Sequence, residues 1–267
     1  MFFSWLNKYL AIYKLSLKQA FSYRFEFGIW AILHPVRLVI LYFLWSSIFN
    51  YSGAAALGGM TLSELIAYYV TAVVLDTYVG VDRRLPEEIY KGDMVIAFIR
   101  PVTVFGRLLA HELANRSIAF LFHMLPTAVF AFFFLGYNIV SVPYTALAMA
   151  AAFLGLLINY ELTFIIATTT FWTRAYYGTS TLKEGLLYLM SGWLIPLTFF
   201  PLIIQNILKF TPYPYIMFFP NTIFLGKYAV SQALGIIAIQ IFWIIALYGV
   251  YLTVWHLAKT KFTGEGV

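Results

Sequence analysis

The chain contains no cysteine, which excludes disulfides, thiolate metal sites and a cysteine nucleophile. Charge is scarce as well: Asp, Glu, Lys and Arg make up 10% of the 267 residues, against roughly a quarter in soluble domains. No GxSxG nucleophile elbow is present, and His111-Glu112 fails as the start of a zinc-protease helix because position 115 is Asn. Gly226-Lys227 fails as a phosphate loop, since the upstream glycine is missing and position 228 is Tyr. His34, His111, His123 and His256 are scattered along the chain, whereas metal ligands cluster. The sequence therefore predicts no enzyme, no metal site and no cofactor of its own.

What remains is apolar. Hydrophobic residues make up 62% of the chain, with 26 Phe, 20 Tyr and 7 Trp, and the mean hydropathy is +0.84. This is the composition of an all-α polytopic membrane protein, its aromatic rings placed for lipid contact and interfacial belts. The net charge of +6 reports orientation in a bilayer rather than nucleic-acid binding.

Apolar runs of about 20 residues mark the spans. They fall at about 28–50, 61–81, 117–135, 144–170, 185–206 and 233–257. The run 117–160 has no Asp, Glu, Lys or Arg and must fold back, with Gly136-Tyr137-Asn138 and Pro143 as the expected hinge. The fifth span is interrupted by Pro196 and Pro201. The segment 209–231 carries Pro212, Pro214 and Pro220 and is too broken to span. Residues 1–25 are cut by Lys8, Lys14, Lys18 and Arg24, so they make no secretory leader. Leu6, Leu10, Tyr13, Leu17, Ala20 and Phe21 share one helical face there, with Lys8 and Lys18 opposite. Such a helix lies in the membrane interface or packs on the rest of the protein.

Six spans put both termini on one side, together with residues 82–116. That side holds Lys8, Lys14, Lys18, Arg24, Arg83, Arg84, Lys91, Arg100, Arg107, Arg116, Arg174, Lys183, Lys259 and Lys261; the other holds only Lys209 and Lys227. Fourteen against two makes the termini and the 82–116 stretch cytoplasmic. No other part of the chain concentrates charge like 82–116. Pro86 suits the first position of a short helix, Glu87 and Glu88 suit its positive dipole end, and Gly92 suits its exit. Leu85 and Ile89 share a face, and Arg100 before Pro101 predicts an extended break. The stretch is either an ordinary solvated loop or a folded element that a soluble partner grips. Arg37, Asp76 and Glu161 lie at membrane depth, where a charge faces a partner or a water-filled cavity. Asp76 and Glu161 either form a proton or cation path, or pair with Arg37 or the backbone and orient helices.

The order of several short motifs resembles an ABC-2 type transporter permease over nearly the whole length. They are Tyr23-Arg24, the run from Gly92-Asp93 to Arg100-Pro101, Phe171-Trp172-Thr173, Ile195-Pro196-Leu197, Phe200-Pro201, Thr211-Pro212-Tyr213, Pro220 and Leu225-Gly226-Lys227. The resemblance implies a single six-span permease domain with an N-terminal interface helix. It implies a cytoplasmic coupling helix between spans two and three, at Leu85, Pro86, Glu87, Glu88, Ile89, Tyr90, Lys91, Gly92 and Asp93. It implies broken re-entrant helices between spans five and six, on the external side around Pro196, Pro201, Pro212, Pro214 and Pro220. A separate ATP-binding ABC subunit would hold ATP and Mg, and a second permease would complete an exporter in the plasma membrane. Asp76 and Glu161 are not features of that family, which leaves an ion-coupled secondary transporter as the alternative. Such a transporter would show interrupted helices in both halves, whereas only the C-terminal half has clustered proline breaks.

Overall fold

A backbone away from water must satisfy its own N–H and C=O groups, so long apolar runs become long helices. The computed structural model describes residues 2–22, 24–81, 84–135, 142–173 and 175–260. The expected hinge at Gly136-Tyr137-Asn138 lies outside the described residues, as do Asp82, Arg83 and Tyr23. Helices α1 (Phe2–Ser22), α2 (Arg24–Ser52) and α3 (Leu62–Val79) are followed by two short ones, α4 (Arg84–Lys91) and α5 (Met94–Ile99). Next come α6 (Val104–Ala119), a π-helical turn (Phe120–Met124), α7 (Leu125–Leu135) and α8 (Val142–Thr168). The chain ends with α9 (Thr170–Thr173), α10 (Tyr176–Met190), α11 (Leu202–Lys209), α12 (Phe218–Phe224) and α13 (Val230–Lys259). There is no strand among the described residues.

Among the described residues, five stretches are long and apolar enough to cross a membrane: Ile32–Ser52, Leu62–Lys91, Val104–Phe133, Tyr144–Thr173 and Val230–Lys259. The third begins well before the expected residue 117, because α6 carries its charged residues into the helix already paired. The stretch expected as span five, 185–206, is not one helix. Helix α10 stops at Met190, irregular chain follows, and α11 starts only after Pro201. Gly192 has a φ of +83°, a conformation that side chains disfavour, and Pro196 and Pro201 can donate no helical hydrogen bond. The break survives inside the bundle because other elements satisfy its backbone. Tyr68 donates to the Gly192 carbonyl at 2.6 Å and Tyr69 to that of Leu194 at 2.9 Å. The Phe218 amide donates to Ser191 at 3.0 Å.

The proline-rich segment after α11 folds into the core. Phe218, Phe219, Pro220, Asn221, Thr222 and Ile223 of α12 are all buried. Helix α8 receives this segment on Ala148, Ala151, Ala152 and Gly155. A Cβ on Gly155 would stand 2.6 Å from the Ile216 carbonyl oxygen, so close backbone approach requires glycine here. Gln240 of α13 donates to the carbonyls of Ala151 at 2.8 Å and Tyr215 at 2.7 Å. Asn221 donates to Tyr68 O at 3.0 Å and accepts from Thr71.

Helix α3 starts on a capping box, in which the Thr61 side chain accepts from the Glu64 amide and Glu64 accepts from that of Thr61. Glu64 also pairs with Lys227, which ties this cap to the loop before α13. The π turn sits where Pro126 lacks an amide and crowds the carbonyl of Phe122, four residues earlier. Helix α1 packs against α6 through its Tyr9, Tyr13 and Ser16 flank. Tyr9 Oη meets Thr103 Oγ1 at 3.1 Å, Tyr13 Oη meets Ser117 Oγ at 2.8 Å, and Ser16 Oγ meets His111 Nδ1 at 2.9 Å. Leu6, Leu10 and Phe21 remain exposed beside that flank.

Candidate functional site

The charged stretch is folded. Helix α4 begins at Arg84, two residues before the expected start at Pro86. Gly92 follows with a φ of +80°, as a helix exit requires. Arg100 is extended, at φ −74° and ψ 143°, as a residue before proline must be. The two faces of α4 divide the expected site. Leu85 and Ile89 are buried in one cluster with Met94, Leu108, Tyr160, Phe164 and Trp255 of the same chain, and Pro86 is buried beside Ala167 and Thr179. Glu88 is spent too, because Arg107 of α6 clasps it with Nη1–Oε1 at 3.0 Å and Nη2–Oε2 at 2.5 Å. Such a two-pronged pair fixes position as well as distance.

Ile89, at 2% exposure, anchors α4 to its own bundle. Glu87 and Lys91 pair with each other across one turn at 2.5 Å. Tyr90, Lys91 and Asp93 are exposed, and beside them α5 presents Val95, Ile96 and Ile99. Ile99 is 79% exposed, with Arg100 as its neighbour. An apolar patch within a rim of charge is the usual chemistry of a protein contact. The α5 residues were not predicted as part of the site. Their signal was in the sequence: MVIAFI is an apolar hexamer inside the most charged stretch of the chain.

Behind this surface α6 acts as a hub. Arg107 holds α4, Ser16 of α1 meets His111, and Arg116 donates from Nη1 to Thr77 O near the end of α3 at 2.8 Å. Arg116 also donates from Nε to Glu112 at 2.8 Å. Tyr9 lies so close to Gly106 that a Cβ there would come within 2.6 Å of its ring. A force on α4 therefore reaches α1, α3 and α6 through charged or close-packed contacts.

Of the membrane-depth charges, the structure brings two together. Arg37 Nη1 lies 3.3 Å from Asp76 Oδ2, joining α2 to α3. The Arg37 guanidinium also lies 3.7 Å over the Trp193 ring. Glu161 is not part of this pair: it is buried on α8, at 5% exposure, and its Oε2 has no hydrogen-bond partner among the described residues. His34 and His123, far apart in sequence, stack at 5.6 Å between α2 and the π turn. No group of three or more His, Cys, Asp or Glu able to hold a metal occurs among the described residues. Pro196 and Pro201 flank the break after α10, Pro212 and Pro214 shape a 3-10 turn, and Pro220 lies inside α12.

Residues 36–266 match the family model described as "ABC-2 family transporter protein". The chain matches no curated protein sequence.

Proposed function

Because the chain belongs to the ABC-2 family of transporter proteins, we propose that it is the membrane-spanning permease subunit of an ATP-driven exporter. A separate ATP-binding ABC subunit supplies the hydrolysis, with ATP and Mg bound there and neither bound by this chain. A second permease, identical or homologous, completes the path across the plasma membrane. The observation that carries this reading is the division of labour on α4 and α5. One face is locked to the bundle by Ile89 and the Glu88–Arg107 pair, and the other offers Tyr90, Lys91, Ile96 and Ile99 to a soluble partner.

The mechanism follows from that arrangement. ATP binding draws two partner subunits together, and each pushes on its α4–α5 surface. Arg107 passes the displacement to α6, and α6 passes it to α1 through Ser16–His111 and to α3 through Arg116–Thr77. A short helix clasped to a long one serves as a two-state element that ATP biases at a distance. Both termini and the α4–α5 surface are cytoplasmic on the charge asymmetry, α1 lies in the inner interface, and α10 with the broken chain after it takes the place of a sixth span. The segment 209–231 is then re-entrant from the external side. Reporters after Val267 and at Tyr90 should read cytoplasmic, and reporters at Ala55 and Asn138 external. An ion-coupled relay through Asp76 and Glu161 is not favoured, because Asp76 is paired with Arg37 and Glu161 stands apart.

Co-purification tests the reading. The detergent-solubilised chain should capture the ATP-binding subunit with which it is co-expressed. Ile99→Asp should cut that capture tenfold or more while leaving membrane insertion unchanged. Equal capture by the variant would show that the partner docks elsewhere.

A further inference from the structure

The Arg37–Asp76 contact is a loose one. At 3.3 Å it is longer than the roughly 2.7–2.9 Å of a charge-assisted hydrogen bond, and it uses one of the five N–H donors of a guanidinium. It is the one hydrogen bond Arg37 makes among the described residues. The two side chains are 31% and 28% exposed, inside a stretch long and apolar enough to cross a membrane. A half-satisfied charge opening onto lipid is costly, and such groups face a polar ligand or a water-filled path.

The surroundings say which ligand fits. Arg37 opens into a cleft lined by Leu41, Tyr69, Val73, Trp193 and Leu194. The Trp193 ring supports the guanidinium face, and its buried indole N–H lies beside the Asp76 carboxylate. The Tyr69 hydroxyl is spent on Leu194 O, so it fixes the wall rather than serving a ligand. The remaining N–H donors of Arg37 are unused among the described residues, and a cation has no vacant place because Arg37 already occupies the aromatic face. Beyond the cleft, α2 exposes Ile40, Phe43 and Leu44, an apolar track for the body of an amphiphile.

We propose that this cleft binds the oxyanion head of an amphiphile, a carboxylate or phosphate monoester carried on an apolar chain. Arg37 is the recognition group and Trp193 its platform. Asp76 is an internal competitor that holds Arg37 in place while the cleft is empty. The cleft rests on the permease reading only in assigning that amphiphile as cargo.

The test uses the full-length chain in phosphatidylcholine nanodiscs, without an ATP-binding subunit, and radiolabelled dodecyl phosphate read by scintillation proximity. Saturable binding should be displaced by unlabelled dodecyl phosphate and not by dodecyltrimethylammonium. Arg37→Gln should weaken it tenfold or more, and Arg37→Lys by less. Asp76→Asn should tighten it severalfold, an outcome that a merely structural ion pair would not give. Binding unchanged by Arg37→Gln overturns the proposal, as does Asp76→Asn binding no more tightly than the unaltered chain. Should Arg37→Gln not fold, Asp76→Asn decides alone. Phosphatidic acid, the lipid phosphate monoester, added to the nanodisc separates two sources of the head group: displacement assigns a lipid, and no displacement assigns a free amphiphile. Dodecyl phosphate binding with no capture of an ATP-binding subunit would overturn the permease reading and leave the cleft standing; the reverse result would overturn the cleft alone.

Discussion

Two short helices, α5 and α12, are both apolar and both interrupt the bundle, yet one faces out and the other is swallowed. Every α12 side chain from Phe218 to Ile223 is buried, Tyr68 and Gln240 satisfy the irregular backbone around it, and Asn221 ties it to α3. Helix α5 buries Met94 and Ala97 and leaves Val95, Ile96 and Ile99 outside, flanked by Lys91, Asp93 and Arg100. An exposed apolar patch rimmed by charge has the chemistry of a protein contact. The difference separates the part of the chain packed into its own core from the part left exposed at its surface.

The largest effect that would break this comparison comes from the buried side of α4. Ile89→Asp puts an unpaired carboxylate among Tyr160, Phe164 and Trp255, at a cost on the order of 4 kcal/mol. Thermal unfolding followed by size-exclusion chromatography in detergent should show little folded protein. Survival of this variant would mean that α4 is not anchored where the structure has it. Gly155→Val comes next, since it drives a side chain into the Ile216 carbonyl and should destabilise by about 1–3 kcal/mol. An unchanged melting temperature would put α12 outside the core.

The Glu88–Arg107 clasp sharpens the comparison further. Glu88→Ala should cost on the order of 1–3 kcal/mol by leaving Arg107 unsatisfied. The exchanged pair Glu88→Arg with Arg107→Glu should recover most of the loss in a double-mutant cycle. Additive losses would show that the two residues do not interact. Glu87→Ala, on the exposed turn, should change stability by no more than about 0.5 kcal/mol.

Much of this was legible in the sequence, and the rest was hidden for physical reasons. Helix α4 announced itself through Glu87, Glu88 and the exit at Gly92, and the break at Arg100-Pro101 followed from steric exclusion alone. Which side of α4 faces inward was not legible, because Leu85 and Ile89 suit a partner's groove as well as their own core. Helix α6 was cut short at residue 117 because hydropathy counts Arg107 and Arg116 as exposed charges, whereas Glu88, Glu112 and Thr77 absorb them. The stretch 185–206 reads as an apolar span that Pro196 and Pro201 interrupt, but not as one whose break other elements hold open. Its interruption depends on hydroxyl groups of Tyr68 and Tyr69, more than a hundred residues away. The pairing of Arg37 with Asp76 was one of the readings the sequence left open, but Trp193 beneath it and the His34–His123 stack were invisible, since helix packing alone brings them together.

The outward face of α5 is tested most directly by photo-crosslinking in membranes that contain the ATP-binding subunit. With a benzophenone side chain at Ile99, illumination should yield an adduct to that subunit. The same probe at Phe218, inside the bundle, should yield adducts within the chain alone. An Ile99 probe that labels only lipid or its own chain would contradict the account.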